Sequence, residues 1–252
     1  MLRAAVTVLA MSLVVMVLGT FALLAGLIYP SRRVIAFAAV VWSRVVLSLA
    51  GARLTVVGKE WVADGIPRFF MGNHQSALDI PILLLALDGN VRFMAKDTLF
   101  RIPVFGWILM RYGYAPIDRS SPRVTLRTIE RMLERLRRNP ISIAVFPEGT
   151  RSPDGNLLTF RRGTMKVGQR SGLPVVPFSI EGSLAVHSRE RFAANPGPVR
   201  LIFGEPIPAE EVAAMSTPDL HDRVKGTIAR QLGLRYEPKS ERAPGLVAAE
   251  VS

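Results

Sequence analysis

Apolar positions are distributed along this chain in two contrasting ways. From Ala4 to Tyr29 they run without one charged residue, behind Arg3 and ahead of Pro30, Ser31, Arg32 and Arg33. A helix of that length can cross a bilayer core with some tilt. A cleaved signal peptide fits less well, because the apolar run is too long and arginines stand where a small-residue cleavage site belongs. Val34 to Leu49 is also apolar but is interrupted by Arg44, which predicts an interfacial or half-buried helix. Residues 1–50 are therefore expected to form N-terminal membrane-associated helices, either as one true span or as two helices in one leaflet. The basic flank of Arg32, Arg33, Arg44 and Arg53 predicts a cell-membrane location with the remaining chain on the cytoplasmic side.

From Arg53 the pattern changes to short apolar runs alternating with helical segments. Strands are predicted at 53–57, 68–72, 91–95, 113–117, 141–146, 174–180 and 198–203, several of them β-branched and bounded by Gly, Pro or Asn. A helix is predicted over 122–138, with Ser121 as cap and Pro122 in its first turn. Leu126, Ile129, Met132, Leu133 and Leu136 fall on one face of it. Arg123, Arg127, Arg131, Arg135 and Arg138 form the opposite stripe, either a solvated face or a surface for anionic lipid. A second amphipathic helix runs from Pro218 to Leu232, with Leu220, Val224, Ile228 and Leu232 four apart and Gly233 as its stop. Strands alternating with helices predict an α/β fold over residues 51–236. Its sheet is expected to be mixed, largely parallel and flanked by helices, preceded by the N-terminal apolar helical membrane element. Residues 237–252, polar and Ala-rich, are expected to be disordered.

Composition narrows the chemistry. The 252 residues contain no Cys, which excludes disulfides, thiolate metal sites and a cysteine nucleophile. Lys and Arg number 32 against 20 Asp and Glu, a net charge of +12. That surplus suits anionic partners such as phospholipid head groups or phosphorylated small molecules. Only five of the basic residues are Lys. Arginine favours forked phosphate contacts, although a genome-wide codon bias produces the same enrichment. The arginines lack the aromatic interleaving of a nucleic-acid groove, so no nucleic-acid partner is expected. Nor do His, Asp and Glu cluster at metal-ligand spacing, so no metal is expected.

Four stretches carry candidate chemistry. In Asn73-His74-Gln75-Ser76-Ala77-Leu78-Asp79, a helix starting near Asp79 lets that carboxylate fold back to the imidazole. The pair would hold one tautomer and stabilise the imidazolium. The alternative is a histidine at a turn with Asp79 as helix N-cap. Phe146-Pro147-Glu148-Gly149-Thr150-Arg151-Ser152 ends a strand and turns into a polar loop, where α/β folds place ligands. Arg151 there offers a planar fork to phosphate, or the stretch is simply a turn. Gly113 to Arg119 ends in an Asp118-Arg119 pair, readable as a surface ion pair or as a second phosphate contact. Gly172 to Pro177 is a helix stop followed by a buried strand. Neither His187 nor His221 has a partner at telling spacing, and neither is expected to be catalytic.

In order and spacing these four segments resemble the sequence blocks of the glycerophospholipid acyltransferase family over roughly residues 50–205. The likeness is specific in the HX4D pair His74 and Asp79 and in Phe146–Arg151. It is similar to the bacterial 1-acyl-sn-glycerol-3-phosphate acyltransferase branch, and an apolar N-terminal helical element is usual there. The resemblance implies that His74 is a general base and Asp79 its orienting partner. The reaction implied moves a fatty acyl group from acyl-CoA or acyl carrier protein to the sn-2 hydroxyl of lysophosphatidic acid, giving phosphatidic acid. The thioester is a co-substrate, and no other cofactor is implied. Arg119, Glu148, Gly149, Thr150 and Arg151 match positions that bind the glycerol phosphate, and Lys96, at a strand end, is a further candidate for that charge. Val175 and Pro177 look structural, on the acyl path. Related lipid A acyltransferases carry Glu at the position of Asp79, which argues against them. A departure is Phe160-Arg161-Arg162-Gly163, where family members often show Lys-Gly; Arg and Lys differ in geometry. Alternative readings are the same chemistry on glycerol 3-phosphate, a lyso-ornithine lipid or another lysophospholipid, and a non-enzymatic basic protein that binds anionic membrane lipids.

Overall fold

The computed structural model describes residues 31–103, 105–111, 113–117, 122–138, 140–188 and 194–236, together with Leu13, Val17 and Phe21. Helix α1 (Arg32–Leu49) leads into strand β1 (Ala52–Val57). Strand β2 (Phe69–Gly72), α2 (Asp79–Ala86), β3 (Val91–Lys96), α3 (Phe105–Arg111), β4 (Ala115–Ile117), α4 (Pro122–Arg138) and β5 (Ser142–Val145) follow. The chain continues through α5 (Arg162–Ser171), β6 (Val175–Glu181), α6 (Ser183–Val186), β7 (Gly197–Phe203), α7 (Ala209–Ala214) and α8 (Thr217–Gln231). Each strand lies within two residues of its predicted position.

Among the described residues, seven strands form one sheet in the order β1-β7-β6-β2-β5-β3-β4. Every neighbouring pair is parallel except β6 with β7, which is antiparallel. The sheet is thus mixed and largely parallel, as the sequence predicted. β2 lies between β6 and β5 and is buried along its whole length. Its side chains alternate across the sheet, as the two-residue strand period requires. Phe70 enters a core with Leu78, Ile82, Leu83, Phe178 and Phe203, whereas Phe69 and Met71 enter one with Met132, Leu133, Val175, Leu220 and Val224. Helices therefore cover both faces, and the near-continuous apolar strands of a parallel sheet are explained.

The amphipathic helices follow their patterns. In α4, Met132, Leu133 and Leu136 are buried and Arg127, Arg131, Arg135 and Arg138 are exposed. Ser121, expected to cap it, and Leu126 and Arg123 lie outside the residues whose side chains are described. In α8, Leu220, Val224 and Ile228 are fully buried, and Ser216 caps the helix by accepting from the Asp219 amide at 3.2 Å. Gly233 takes the left-handed conformation that stops it.

The expected N-terminal apolar membrane element is corrected. Among the described residues, no helix is long and apolar enough to cross a membrane. The predicted span at 4–29 lies outside the described residues apart from Leu13, Val17 and Phe21. Helix α1 has 18 residues but carries Arg32, Arg33 and Arg44, and it turns Val46 and Leu47 into the same core as Ile82 and Leu83 of α2. Its apolar positions are therefore partly consumed by protein packing, which periodicity alone does not distinguish from contact with lipid.

Gly72 closes β2 immediately before the His74 turn. A Cβ there would stand 2.2–2.4 Å from ring atoms of Phe178, whose side chain is itself fully buried and cannot swing away. Gly72→Ala is expected to destabilise the fold by about 1–3 kcal/mol through overpacking. A denaturation midpoint equal to that of the parent protein would show that the ring can yield.

Candidate active site

The chain leaves β2 over one face of the sheet through α2 and leaves β5 over the other face through α5. Connections that diverge from adjacent parallel strands open a crevice at their carboxyl ends. The His74 turn follows β2 there, and the Phe146–Ser152 loop follows β5. Two bonds anchor the turn from beneath. Asn73 donates through Nδ2 to the Ile180 carbonyl at 2.9 Å and accepts from the Ile180 amide at 2.8 Å.

His74 Nδ1 lies 2.7 Å from Asp79 Oδ2. The same carboxylate oxygen accepts the backbone N–H of Gln75 at 2.7 Å and of Ser76 at 2.9 Å. Asp79 is fully buried and is the first residue of α2, not its cap; the cap position belongs to Leu78. The carboxylate therefore reaches backwards, clamping the turn and orienting the ring together. With Nδ1 directed at Asp79, the proton sits on Nδ1 and the Nε2 lone pair faces outward. Nε2 has no hydrogen-bond partner among the described residues, and the His74 side chain keeps 15% of its exposure, so a ligand can reach it.

Phe146 stacks on the imidazole, with centroids 4.0 Å apart and planes inclined by 12°. The stack restricts ring rotation, which the carboxylate bond alone does not. The Ser152 amide donates to the His74 carbonyl at 2.7 Å, and Gln75 Nε2 donates to the Gly155 carbonyl at 3.0 Å. These bonds stitch the second loop to the first and place Arg151, half-buried, beside the His74 turn. Gly149 adopts φ +71°, a left-handed conformation that favours glycine; a Cβ there would meet only the exposed, flexible Arg161 side chain, which can move aside. Thr150 and Lys96 are exposed, the latter at the carboxyl end of β3. Arg119 and Asp118 lie outside the described residues. Val175 and Pro177 are buried in β6, in register with Phe69 and Met71 of β2.

Glu148 is 4% exposed, and neither carboxyl oxygen has a hydrogen-bond partner of good geometry. Burial pushes its carboxyl up to about 8; the His74 amide pulls the other way, the Asp79 charge raises it further and Lys225 lowers it. Near neutral pH the folded state thus holds Glu148 protonated while the unfolded chain has it ionised. The stability this protonated form confers is complete below the ordinary value of 4.5 and is lost as pH rises through about 8. Glu148→Gln is expected to flatten that fall and to gain a few kcal/mol over the parent protein at pH 8.5, by order of magnitude. Denaturant titrations from pH 5 to 8.5 would read it, and parallel curves for the two proteins would refute it.

Several of these contacts join residues far apart in the chain and have no signature in the sequence. Phe146 belonged to a recognised block, but nothing in its spacing revealed the stack on His74. His187 comes close to the site through its carbonyl, which accepts from Ser76 Oγ at 2.6 Å. His221 pairs with Asp222 at 2.8 Å, a locally satisfied histidine on α8.

A carboxylate-oriented imidazole with an unbonded second nitrogen, in a crevice beside an arginine loop, can accept a proton from an alcohol or water. The class so defined is one of hydroxyl-activating transferases and hydrolases. The chain belongs to the acyltransferase family, whose model matches residues 53–181 and so includes both loops. It is 33% identical over 169 residues to a chloroplastic 1-acyl-sn-glycerol-3-phosphate acyltransferase of Brassica napus, covering 67% of this chain and 47% of that protein. It is 26% identical over 218 residues to a 1-acyl-sn-glycerol-3-phosphate acyltransferase of Pseudomonas aeruginosa, covering 85% and 84%. The crystal structure of the 1-acyl-sn-glycerophosphate acyltransferase of Thermotoga maritima superposes with a TM-score of 0.79 at 25% identity, over 94% of this chain and 98% of that one. The chain spans about half the length of several relatives it matches, from 39% to 55% of the first three.

Proposed function

We propose that this protein transfers a fatty acyl group from a thioester, acyl-CoA or acyl carrier protein, to the sn-2 hydroxyl of 1-acylglycerol 3-phosphate. The product is phosphatidic acid. The observation that carries this reading is the 2.7 Å contact between His74 Nδ1 and Asp79, which leaves Nε2 available as a base. The names of the relatives support the choice of acceptor and product.

In this reading Nε2 takes the hydroxyl proton as the oxygen attacks the thioester carbonyl. The buried Asp79 charge stabilises the imidazolium that results. That attack forms the C–O bond; collapse of the tetrahedral intermediate then restores the carbonyl and breaks the C–S bond, and the proton on Nε2 passes to the leaving thiolate. No acyl-enzyme is needed. Arg151 and Arg119 are the candidates for the acceptor phosphate, with Lys96 at the neighbouring strand end and Thr150 contributing a hydroxyl. Glu148 and Gly149 shape that loop, one beneath it and one by its backbone. Because the acceptor is a membrane amphiphile, we place the reaction at the cytoplasmic face of the cell membrane.

The test is an assay of purified protein against a panel of lysolipids and glycerol 3-phosphate with both donors, read by mass spectrometry. Phosphatidic acid formed from lysophosphatidic acid is the expected dominant product. Acylation of another acceptor in preference would overturn the assignment while leaving the chemistry intact.

A further inference from the structure

A second cavity, of about 710 Å³, lies between α4 and strands β3 and β4. No residue of the His74 turn or of the Phe146–Ser152 loop lines it, so it is a separate site and does not rest on the acyl-transfer reading. Its floor is apolar, including Met132, Leu136 and Ile143. Among the described residues, five arginines line it, Arg92, Arg111, Arg131, Arg135 and Arg138, and no carboxylate does.

These cations are differently held. Arg92 is 5% exposed, donates to the Gly89 and Val91 carbonyls at 3.0 Å each, and lies 5.7 Å over the Tyr114 ring. Arg138 pairs with Glu134 at 2.7 Å. Arg111, Arg131 and Arg135 have no carboxylate or hydrogen-bond partner among the described residues. Guanidinium groups gathered around one cavity repel one another unless an anion lies between them, and their forked donors match phosphate oxygens. The rim adds a second property. Met110, which lines the cavity, is 54% exposed, and Trp107, three residues earlier on α3, is 57% exposed. Residues three apart share a helix face, and exposed tryptophan beside cations is the composition of a bilayer interface. A soluble phosphate compound would account for the arginines but not for this apolar lip.

We propose that the cavity receives the phosphate head group of an anionic phospholipid in a bilayer, with Trp107 and Met110 inserted among the acyl chains. The stripe along α4 is then divided: Arg131 and Arg135 face the ligand, while Arg127 and Arg137 do not line the cavity.

Flotation of the intact protein with phosphatidylcholine vesicles, with and without phosphatidylglycerol, tests this. An arginine near an anionic surface contributes roughly fivefold to partition, so R131A/R135A should lower binding to the anionic vesicles about 25-fold. Binding to neutral vesicles should not change. R127A/R137A removes the same charge from the same helix outside the cavity and should cost clearly less. Equal losses in the two double variants would mean diffuse attraction and overturn the site. W107A should weaken binding to both vesicle types; no effect would remove the lipid lip from the proposal and overturn it. Coenzyme A, titrated against the parent protein and R131A/R135A, is the remaining arm. Affinity that depends on the two arginines, alongside vesicle binding that does not, would assign the cavity to a soluble phosphorylated ligand instead. All four arginines are exposed, so thermal midpoints should match that of the parent protein.

Discussion

Replacing His74 with alanine should lower acyl-transfer turnover by about 10²–10⁴-fold, the usual contribution of a positioned general base. The Michaelis constant for lysophosphatidic acid should move little, because the head group is assigned to arginines on other segments and not to the imidazole. Structure should survive as well. Asp79 would still accept the Gln75 and Ser76 amides, so the turn keeps its clamp, and the lost stack on Phe146 involves one partly accessible ring. Steady-state kinetics with circular dichroism as the folding control would read this. Turnover near that of the parent protein would mean that His74 is not the base.

Asp79→Asn should reduce turnover by a comparable factor for a different reason. The asparagine is isosteric, but one end must face three donors: the two amides and the His74 Nδ1–H. If its oxygen faces them, the clamp persists without the negative charge that stabilises the imidazolium. If its amide nitrogen turns toward the ring, the histidine is driven to the tautomer with its proton on Nε2, and the base is lost. Both outcomes slow the reaction, and loss of a charge-assisted acceptor costs about 1–3 kcal/mol of stability in addition. The discriminating measurement is turnover at a temperature where the variant is fully folded. A variant that melts lower yet turns over normally would reduce Asp79 to a structural clamp for the Gln75–Ser76 turn.

Much of the architecture was legible along the chain because it is local. Strand positions followed from β-branched runs ended by Gly, Pro or Asn, and α4 begins and ends at the predicted residues. α8 buries Leu220, Val224 and Ile228, three of the four positions whose spacing predicted its inner face. The spacing of His74 and Asp79 allowed the carboxylate to reach back if a helix started near Asp79, and α2 starts at Asp79 itself. The N-terminal membrane span did not appear, since no helix among the described residues is long and apolar enough to cross a membrane. Helix α1, by contrast, is half-buried, as its interrupted pattern predicted. Apolar content reports a preference for leaving water, and α1 meets that preference partly by packing with α2.

By itself, then, the chain determined where the strands and the two amphipathic helices α4 and α8 lie, which of their faces are apolar, and that a histidine and an aspartate flank one turn. The tertiary structure alone decided what surrounds them. Phe146 reaches His74 because β5 happens to lie beside β2, and Glu148 loses water because the loop it heads is folded down onto the His74 turn. Arg92 of β3 and Arg131 and Arg135 of α4 share one cavity because β4 brings that helix to the sheet edge. Periodicity is a property of a few consecutive residues. Strand order is set by packing between segments far apart in the chain, and it is strand order that chooses the neighbours of each reactive group.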